Sequence, residues 1–466
     1  MKDAKSPSLG LSILPTLALI AFLAIGVLAL KTSPHIPLML GCVVAACCSL
    51  RLGHSWDDVL KACVNGISLA MPAILILMAV GILIGSWVAS GVVPLLVSYG
   101  LNLLSPSFFL VAACCITSIV AFSTGSSWST AGTIGVALVG VGQGLGIDSA
   151  MVAGAIVSGA YFGDKLSPLS DTTNLASGVV GVPLFEHIRH MLYTTIPSML
   201  IALLLYAFIG HGSTDAASDA KVAELLAALD EQFRLSPWLL LAPASVLALI
   251  AFRVPALPSM LGGAFAGAAI GLTTQDIGLS SMFEAMQSGY VSTSGNAQID
   301  ELLSRGGLES MFWTIGLIIC AMAFGGIMER AGMLNRIANA VLSFATSSGK
   351  LVSSTLATCI GMNIVAPDQY LAIVVPGRMY RSAFAKSGLA AKNLSRCLED
   401  SGTLFSPLVP WNSCGAFMMG ALGVSPWLYL PYAFLNLLCP LISAIYGFTG
   451  FSMEKTAESS GDEAER

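Results

Sequence analysis

The sequence predicts an all-α, polytopic membrane protein built from two inverted-topology repeats. Hydrophobic residues make up 55% of the 466 residues and charged residues only 10%, whereas charged residues are roughly a quarter of a typical soluble domain. Apolar runs of membrane-spanning length continue from residue 11 to residue 450, so the first of them is not explained as a secretion signal. Motifs of the first half also return, in the same order, in the second half. These observations exclude a soluble globular protein.

Five membrane crossings are predicted in the first half: residues 11–30, 36–52, 69–90, 150–181 and 190–210. The fourth crossing should break near residues 165–170, because Pro168 removes a backbone donor and clashes with the preceding turn. Two shorter apolar segments, 107–122 and 128–145, flank the polar stretch AFSTGSSWSTAG. They favour a re-entrant hairpin, which enters the membrane and turns back.

The second half repeats this plan, with a hairpin around residues 363–370 and predicted crossings at 237–253, 257–273, 310–330, 394–423 (broken) and 427–448. The best internal match lies at the two broken helices, where Gly163, Ser167, Pro168 and Leu169 correspond to Gly402, Ser406, Pro407 and Leu408. Each repeat therefore has about five transmembrane helices, a hairpin and a broken helix. An odd number of crossings per repeat makes the two repeats inverted.

The charges test this topology independently. With the N-terminus in the cytoplasm, sixteen of the 21 Lys and Arg residues fall on the cytoplasmic side, as the positive-inside rule requires. The predicted organisation is a cytoplasmic N-terminus (1–10), a first transmembrane repeat (11–210), an extracytoplasmic linker (211–236), a second transmembrane repeat (237–450) and a cytoplasmic acidic tail (451–466).

The stretch GAYFGDKLSPLSDTTNLASG, residues 159–178, places Asp164, Lys165 and Asp171 in an apolar segment. Ionisable residues at membrane depth are rare and indicate a functional site. A helix break leaves backbone groups without helical hydrogen bonds, and at membrane depth these groups are tolerated only where they are buried in protein or line a water-filled cavity. Transporters place ion sites at breaks of this kind. We therefore expect Asp164 and Asp171 to bind a cation, with Ser167, Thr172, Thr173 and Asn174 as further oxygen ligands. Pairing of Lys165 with one aspartate, as a structural ion pair, stays open as the alternative.

Polar side chains at the two hairpin tips and in the second broken helix are further candidate ligands for the ion or a substrate: Ser126, Ser127, Ser129, Thr130, Asn363, Asp368, Thr403, Ser406 and Asn412. The hydroxyl groups have an alternative role as small packing residues. Asp368 is either a third ionisable ligand for the cation or a helix N-cap. Glu399 and Asp400 are expected either to contact the ion or to lie at the cytoplasmic mouth with Arg396 as their partner.

Four motifs resemble those of the NhaC-type sodium/proton antiporter family: GDKLSPLSDTTNLAS, GSSWSTAGTIG, DQYLAIVVPGRMY and LSRCLEDSGTLFSPLVPWNSCG. The resemblance covers roughly residues 11–450. It implies a secondary transporter that exchanges sodium for protons, and the inverted repeats favour alternating access. Relatives in this family also exchange organic acids such as malate and lactate, so an organic-acid or amino-acid exchanger stays open.

An enzyme is disfavoured, because the sequence has no HExxH or GxSxG motif, and the lack of a nucleotide-binding P-loop disfavours an ATP-driven pump. We expect no cofactor beyond the transported Na⁺ and H⁺. The expected partners are the lipid bilayer, sodium ions and protons, with a small organic anion and a homodimer as open alternatives and no nucleic acid. The expected location is the bacterial cytoplasmic (inner) membrane, with both termini cytoplasmic.

Overall fold

The computed structural model of the chain describes residues 6–211, 217–293, 300 and 303–456. These residues form helices joined by short loops, and the one β-type contact among them is an isolated bridge between Leu389 and Lys455. The predicted all-α fold is therefore confirmed. Part of the predicted linker and most of the predicted acidic tail lie outside the described residues.

The first half consists of α1 Leu9–Leu23, α2 His35–Arg51, α3 Trp56–Ala89, α4 Val92–Leu103, α5 Pro106–Thr124, α6 Ser127–Thr130, α7 Val136–Gly144, α8 Ser149–Leu166, α9 Asp171–Val180 and α10 Leu184–His211. A π-helical turn, Ala131–Gly135, joins α6 to α7. Helix α3 begins well before the predicted span of 69–90, because Ser55 and Asp58 form a capping box at its start.

The second half consists of α11 Ala217–Gln232, α12 Leu241–Ala251, α13 Ala256–Thr274, α14 Leu279–Ser288, α15 Phe312–Arg330, α16 Met333–Leu342, α17 Ser348–Val365, α18 Gln369–Lys386, α19 Ala391–Cys397, α20 Ser413–Leu422, α21 Pro426–Tyr429 and α22 Phe434–Thr449. Short 3₁₀ turns precede α12 and α15 and follow α21.

Both predicted helix breaks are present. Between α8 and α9 the chain leaves the helical path after Leu166 and resumes it at Asp171. After α19, a π-helical turn (Leu398–Thr403) and a 3₁₀ turn (Ser406–Leu408) precede α20, which begins at Ser413. In each case the proline of the Ser-Pro-Leu motif lies in the break, where it cannot donate a helical hydrogen bond.

Several features recur in the same order in the two halves, although the single helix α3 of the first half has two helices, α14 and α15, in the corresponding place of the second. Left-handed glycines also fall at matching places: Gly91 and Gly332 precede α4 and α16, with φ of 84° and 69°. Gly181 and Gly423 end α9 and α20, with φ of 81° and 71°. The inverted orientation of the two repeats stays a prediction.

Six helices of the described chain are long and apolar enough to cross a membrane, or eight if each of two bent helix pairs is one span. The sequence predicted about ten spans. The difference arises because α2 and α22 are apolar but shorter than a typical span, and because the first broken helix is divided into two segments. Helix α5, predicted to be one arm of a hairpin, is itself among the six.

Small residues bring α8 close to α5, and this contact positions the first broken helix. A Cβ added at Gly159 would lie 2.2 Å from the Cys114 carbonyl oxygen, and one at Gly163 would lie 2.2 Å from that of Ser118. Larger residues cannot occupy these positions without separating the helices. Such small-residue contacts are typical of helix pairs in membranes.

Candidate functional site

A cavity of about 430 Å³ lies where the two hairpin tips, the first helix break and α3 meet. Its polar lining comes from Thr124, Ser126, Ser127, Ser129, Asp164, Asp171, Arg253, Asp368, Gln369, Tyr370 and Ser413. The structure therefore brings together three carboxylates and three serines that the sequence singled out. These residues are far apart in the chain, and the folding of both halves is needed to assemble them.

Asp164 lies near the end of α8 and is 5% exposed. Its Oδ2 atom accepts two hydrogen bonds from Ser127, from the backbone N–H at 3.0 Å and from the hydroxyl at 2.7 Å. Its Oδ1 atom is buried and has no hydrogen-bond partner within the described ranges. A carboxylate with one oxygen fixed and the other free can accept either a proton or a cation at the free oxygen.

Asp171 is the first residue of α9 and is exposed. Its Oδ1 atom accepts a hydrogen bond from the backbone N–H of Thr172 at 2.9 Å, and its Oδ2 atom accepts one from the Tyr370 hydroxyl. Tyr370 belongs to the second half, so this bond links the first helix break to the second hairpin. The sequence analysis missed Tyr370, although it lies two residues after Asp368 in a motif already singled out.

Asp368 is 4% exposed and caps α18, because its Oδ1 atom accepts hydrogen bonds from the backbone N–H groups of Tyr370 at 2.9 Å and Leu371 at 3.0 Å. The sequence left a cap and an ionisable ligand as alternatives. The cap is present, and the same side chain lines the cavity. The two roles are compatible, since a carboxylate has acceptor capacity on both oxygens.

The other predicted ligands of the first break bond mainly to the backbone that the break exposes. Asn174 donates to the carbonyl groups of Pro168 at 3.0 Å and Ser170 at 2.6 Å, and the Thr173 hydroxyl donates to that of Lys165 at 3.0 Å. Ser167 accepts from the Leu169 N–H, and Thr172 shares a hydrogen bond with the Ser170 hydroxyl. A broken helix leaves backbone groups that must be satisfied locally at membrane depth. That ion contact is also made by these side chains remains a prediction.

In the second half, Asn363, Thr403, Ser406 and Asn412 are all fully buried. Asn412 donates to the Asn363 side-chain oxygen at 3.0 Å, and Asn363 donates to the Gly402 carbonyl at 2.8 Å. Ser406 donates to the Thr403 carbonyl at 2.7 Å. At the first hairpin, Thr130 is likewise turned to the backbone, donating to the Ser126 carbonyl at 2.9 Å. The two asparagines therefore join the second break to the second predicted hairpin, whereas the two hydroxyl groups bond within their own segments.

Lys165 forms a fully buried ion pair with Asp400, which joins the two broken helices. The Asp400 Oδ1 atom also accepts a hydrogen bond from the Thr194 hydroxyl at 3.0 Å. Glu399 and Asp400 do not lie at an open cytoplasmic mouth, because both residues are 0% exposed, but the expected partner Arg396 is present, with its Nε atom 4.0 Å from the Asp400 Oδ2 atom. Arg396 also donates to Ser452 near the C-terminal end of the described chain. The pairing of Lys165 with Asp400 cannot be predicted from the local sequence, since the two residues lie in different halves.

The polar atoms that line the cavity are mostly carboxylate and hydroxyl oxygens. Among the residues described, no group of three or more His, Cys, Asp or Glu side chains is arranged to hold a metal ion. Asp164, Asp171 and Asp368 line the cavity together with hydroxyl groups, and all of these oxygen atoms are hydrogen-bond acceptors.

Comparison with known proteins places these features in context. The Na⁺/H⁺ antiporter family matches residues 159–451, more than half of the chain. The chain is 41% identical to the Na⁺/H⁺ antiporter NhaC of Alkalihalophilus pseudofirmus, over 97% of this chain and 98% of the relative. It is 39% identical to the arginine/ornithine antiporter ArcD of Halobacterium salinarum, over 99% and 97%. It is also 38% identical to the malate-2H⁺/Na⁺-lactate antiporter of Bacillus subtilis, over 97% and 96%.

Proposed function

The chain belongs to the Na⁺/H⁺ antiporter family, and we propose that its carboxylate-lined cavity is the place where sodium and protons compete. It is a sodium/proton antiporter and not an enzyme, in keeping with the relatives named above. The observation that carries the proposed site is the free Oδ1 atom of Asp164, a buried carboxylate oxygen at the wall of the cavity.

Competition for one carboxylate is sufficient to couple the two ions. An isolated charge is costly to bury at membrane depth. The transporter therefore changes easily between its inward-open and outward-open states when Asp164 holds a proton or a sodium ion, but not when the carboxylate is empty. Since the proton and the sodium ion use the same oxygen, they cannot both be held. The hydrogen bonds from Ser127 fix the carboxylate in place, and Asp171 and Asp368 add negative charge that attracts the cation.

We infer that the cavity opens to the cytoplasm in this structure. Its lining includes residues 253–255, the loop between α12 and α13, where Arg253 is exposed. The positive-inside pattern puts this loop on the cytoplasmic side. The same pattern supports a cytoplasmic-membrane location with both termini inside, and the two Ser-Pro-Leu breaks and the matching left-handed glycines support two inverted repeats at 11–210 and 237–450. Movement of one repeat against the other would then expose the cavity to the outside. No cofactor is needed, since the ion gradients supply the energy.

A second candidate is an exchanger that also carries a small organic acid or amino acid. A volume of about 430 Å³ is larger than a bare sodium ion needs and lies in the range of small-molecule sites. The exposed Arg253 and the wall residue Trp128, which stacks on Phe417 with ring centroids 4.3 Å apart, are suited to such a solute. A homodimer is a further proposal that the family membership leaves open.

The test uses sealed proteoliposomes that contain a trapped pH dye, to which a sodium pulse is added. We expect a rapid pH change with the wild type and none with Asp164→Asn. Asp148→Asn is the matched control, because Asp148 caps the opposite end of the same helix and is exposed, and asparagine caps a helix as well as aspartate. This control should exchange at the wild-type rate.

Asp164→Asn protein that still exchanges would rule out Asp164 as the shared site. A wild type that responds only after malate, lactate, arginine or ornithine is supplied would instead support the second candidate. The same liposomes therefore separate the two functions.

A further inference from the structure

A carboxyl group beside the ion pair has no role in the exchange described so far. Glu399 lies in the π-helical turn Leu398–Thr403 and is 0% exposed. Neither of its carboxyl oxygens has a hydrogen-bond partner in the part of the chain that the structure describes. Glu399 is also outside the lining of the cavity. Single π-helical turns within α-helices are frequent at functional sites, because they change the direction of side chains.

The charged neighbours of Glu399 come from both halves of the molecule. Lys165 and Asp164 of α8 and Asp400 of its own segment act on it electrostatically. Lys165 donates a hydrogen bond to Asp400 and another, at 3.3 Å, to the Cys439 sulfur. It does not donate a hydrogen bond to Glu399. His187 of α10 is a further titratable group on which Lys165 and Asp400 act electrostatically.

Among the described residues, no donor is close enough to complete a hydrogen bond to Glu399, and this favours its protonated form. An ionised carboxylate accepts hydrogen bonds on both oxygens, and burying it without them costs far more than burying the neutral acid. Glu399 therefore carries a proton in the arrangement described here. For the proton to leave, a donor or water must reach the carboxylate. The Thr403 hydroxyl, four residues along and buried, is the neighbouring donor that acts on Glu399, and a rearrangement of the turn would let it complete a hydrogen bond to the carboxylate.

We propose that Glu399 is a second proton-binding site of the transporter, which sodium does not occupy. Its proton is taken up from water on one side of the membrane and is released on the other side when the second broken helix rearranges. The transporter then returns with sodium at Asp164 and with Glu399 ionised, and the neighbouring Lys165 ammonium offsets the charge of Glu399. This inference rests on the proposed function, in which sodium displaces another proton, the one on Asp164. Two protons then move for each sodium ion in the opposite direction, so the exchange moves net charge across the membrane.

The experiment measures the ratio of protons to sodium ions in proteoliposomes. The membrane potential is set with potassium and valinomycin, and the sodium gradient is varied until no pH change occurs. We expect two protons per sodium for the wild type and one for Glu399→Gln. Glu309→Gln removes an exposed carboxylate that accepts from Gln287 at 3.1 Å, and this control should keep the wild-type ratio.

A wild-type ratio of one, or a Glu399→Gln ratio equal to that of the wild type, would overturn the second site while leaving sodium/proton exchange intact. A wild type without sodium-driven proton movement would contradict the proposed function itself. If Glu399→Gln does not transport, infrared spectroscopy of the purified protein provides the readout. The carbonyl band of a protonated carboxylic acid should be lost in Glu399→Gln and kept in Glu309→Gln, and an unchanged band would also overturn the proposal. If Glu399→Gln does not fold, Glu399→Asp keeps the acid and should shift this band, and an unshifted band would count against the assignment.

Discussion

The two broken helices have the same Ser-Pro-Leu motif but different surroundings. In the first, Leu169 is 50% exposed and lines the cavity. In the second, Ser406, Pro407 and Leu408 are all buried, and the Pro407 carbonyl accepts a hydrogen bond from the Tyr429 hydroxyl. The first break therefore opens to water, and the second is closed inside the protein.

This difference shows that the two copies of a repeated motif can have different roles. At the offset that aligns the two Ser-Pro-Leu motifs, Asp164 and Lys165 correspond to Thr403 and Leu404. The first break thus supplies the carboxylate at the cavity, while the second supplies buried polar contacts and, one turn earlier, Asp400. The ion pair between Lys165 and Asp400 is the direct link between the two regions.

The largest effect is expected when this link is broken. Lys165→Met leaves the Asp400 carboxylate buried without its cation, which should lower the free energy of unfolding by roughly 3–5 kcal/mol. Thermal unfolding of the protein in detergent measures the loss. The double variant Lys165→Met/Asp400→Leu removes both charges and should recover most of the stability. Equal losses in the single and double variants would show that the unpaired charge is not the cause.

Local features of both breaks could be predicted from the sequence, because their causes are local. Pro168 forces a break wherever the helix lies, and charges in an apolar segment mark a site without knowledge of their partners. The pairing of Lys165 with Asp400 could not be predicted, because the two residues are 235 positions apart and meet only when the halves pack together. The same holds for the hydrogen bond from Tyr370 to Asp171, which depends on where the second hairpin ends.

A smaller effect is expected from two glycines that have the same backbone conformation in the two regions. Gly125 has φ of 67°, and a Cβ there would lie 2.6 Å from the Leu169 Cβ and 2.7 Å from its backbone carbon. Gly423 has φ of 71° and no atom within 4 Å of an added Cβ. Alanine at either position carries left-handed strain of about 1–2 kcal/mol. Only Gly125→Ala would also push Leu169, and with it the first helix break, out of its position.

We therefore expect Gly125→Ala to lower the sodium-driven exchange rate by roughly tenfold, which corresponds to about 1.4 kcal/mol, and Gly423→Ala to leave the rate near that of the wild type. The pH-dye assay measures the rates, and thermal unfolding checks that both variants are folded. Similar losses of transport in both would mean that backbone strain, rather than the contact with the open break, limits exchange.

The smallest effect is expected at an ion pair near the surface, which tests whether burial explains the large cost at Lys165. Lys392 lies 2.9 Å from Glu186, with side chains 15% and 48% exposed, and has Glu454 as a second partner. Water can solvate whichever group is left unpaired, so Glu186→Gln should lower the free energy of unfolding by less than about 1 kcal/mol. The melting temperature, compared at low and high salt, measures this loss, and screening should reduce it further. A loss as large as that of Lys165→Met would mean that burial does not set the cost of breaking an ion pair in this protein. In that case, the difference in exposure between the two regions would not explain a difference in stability.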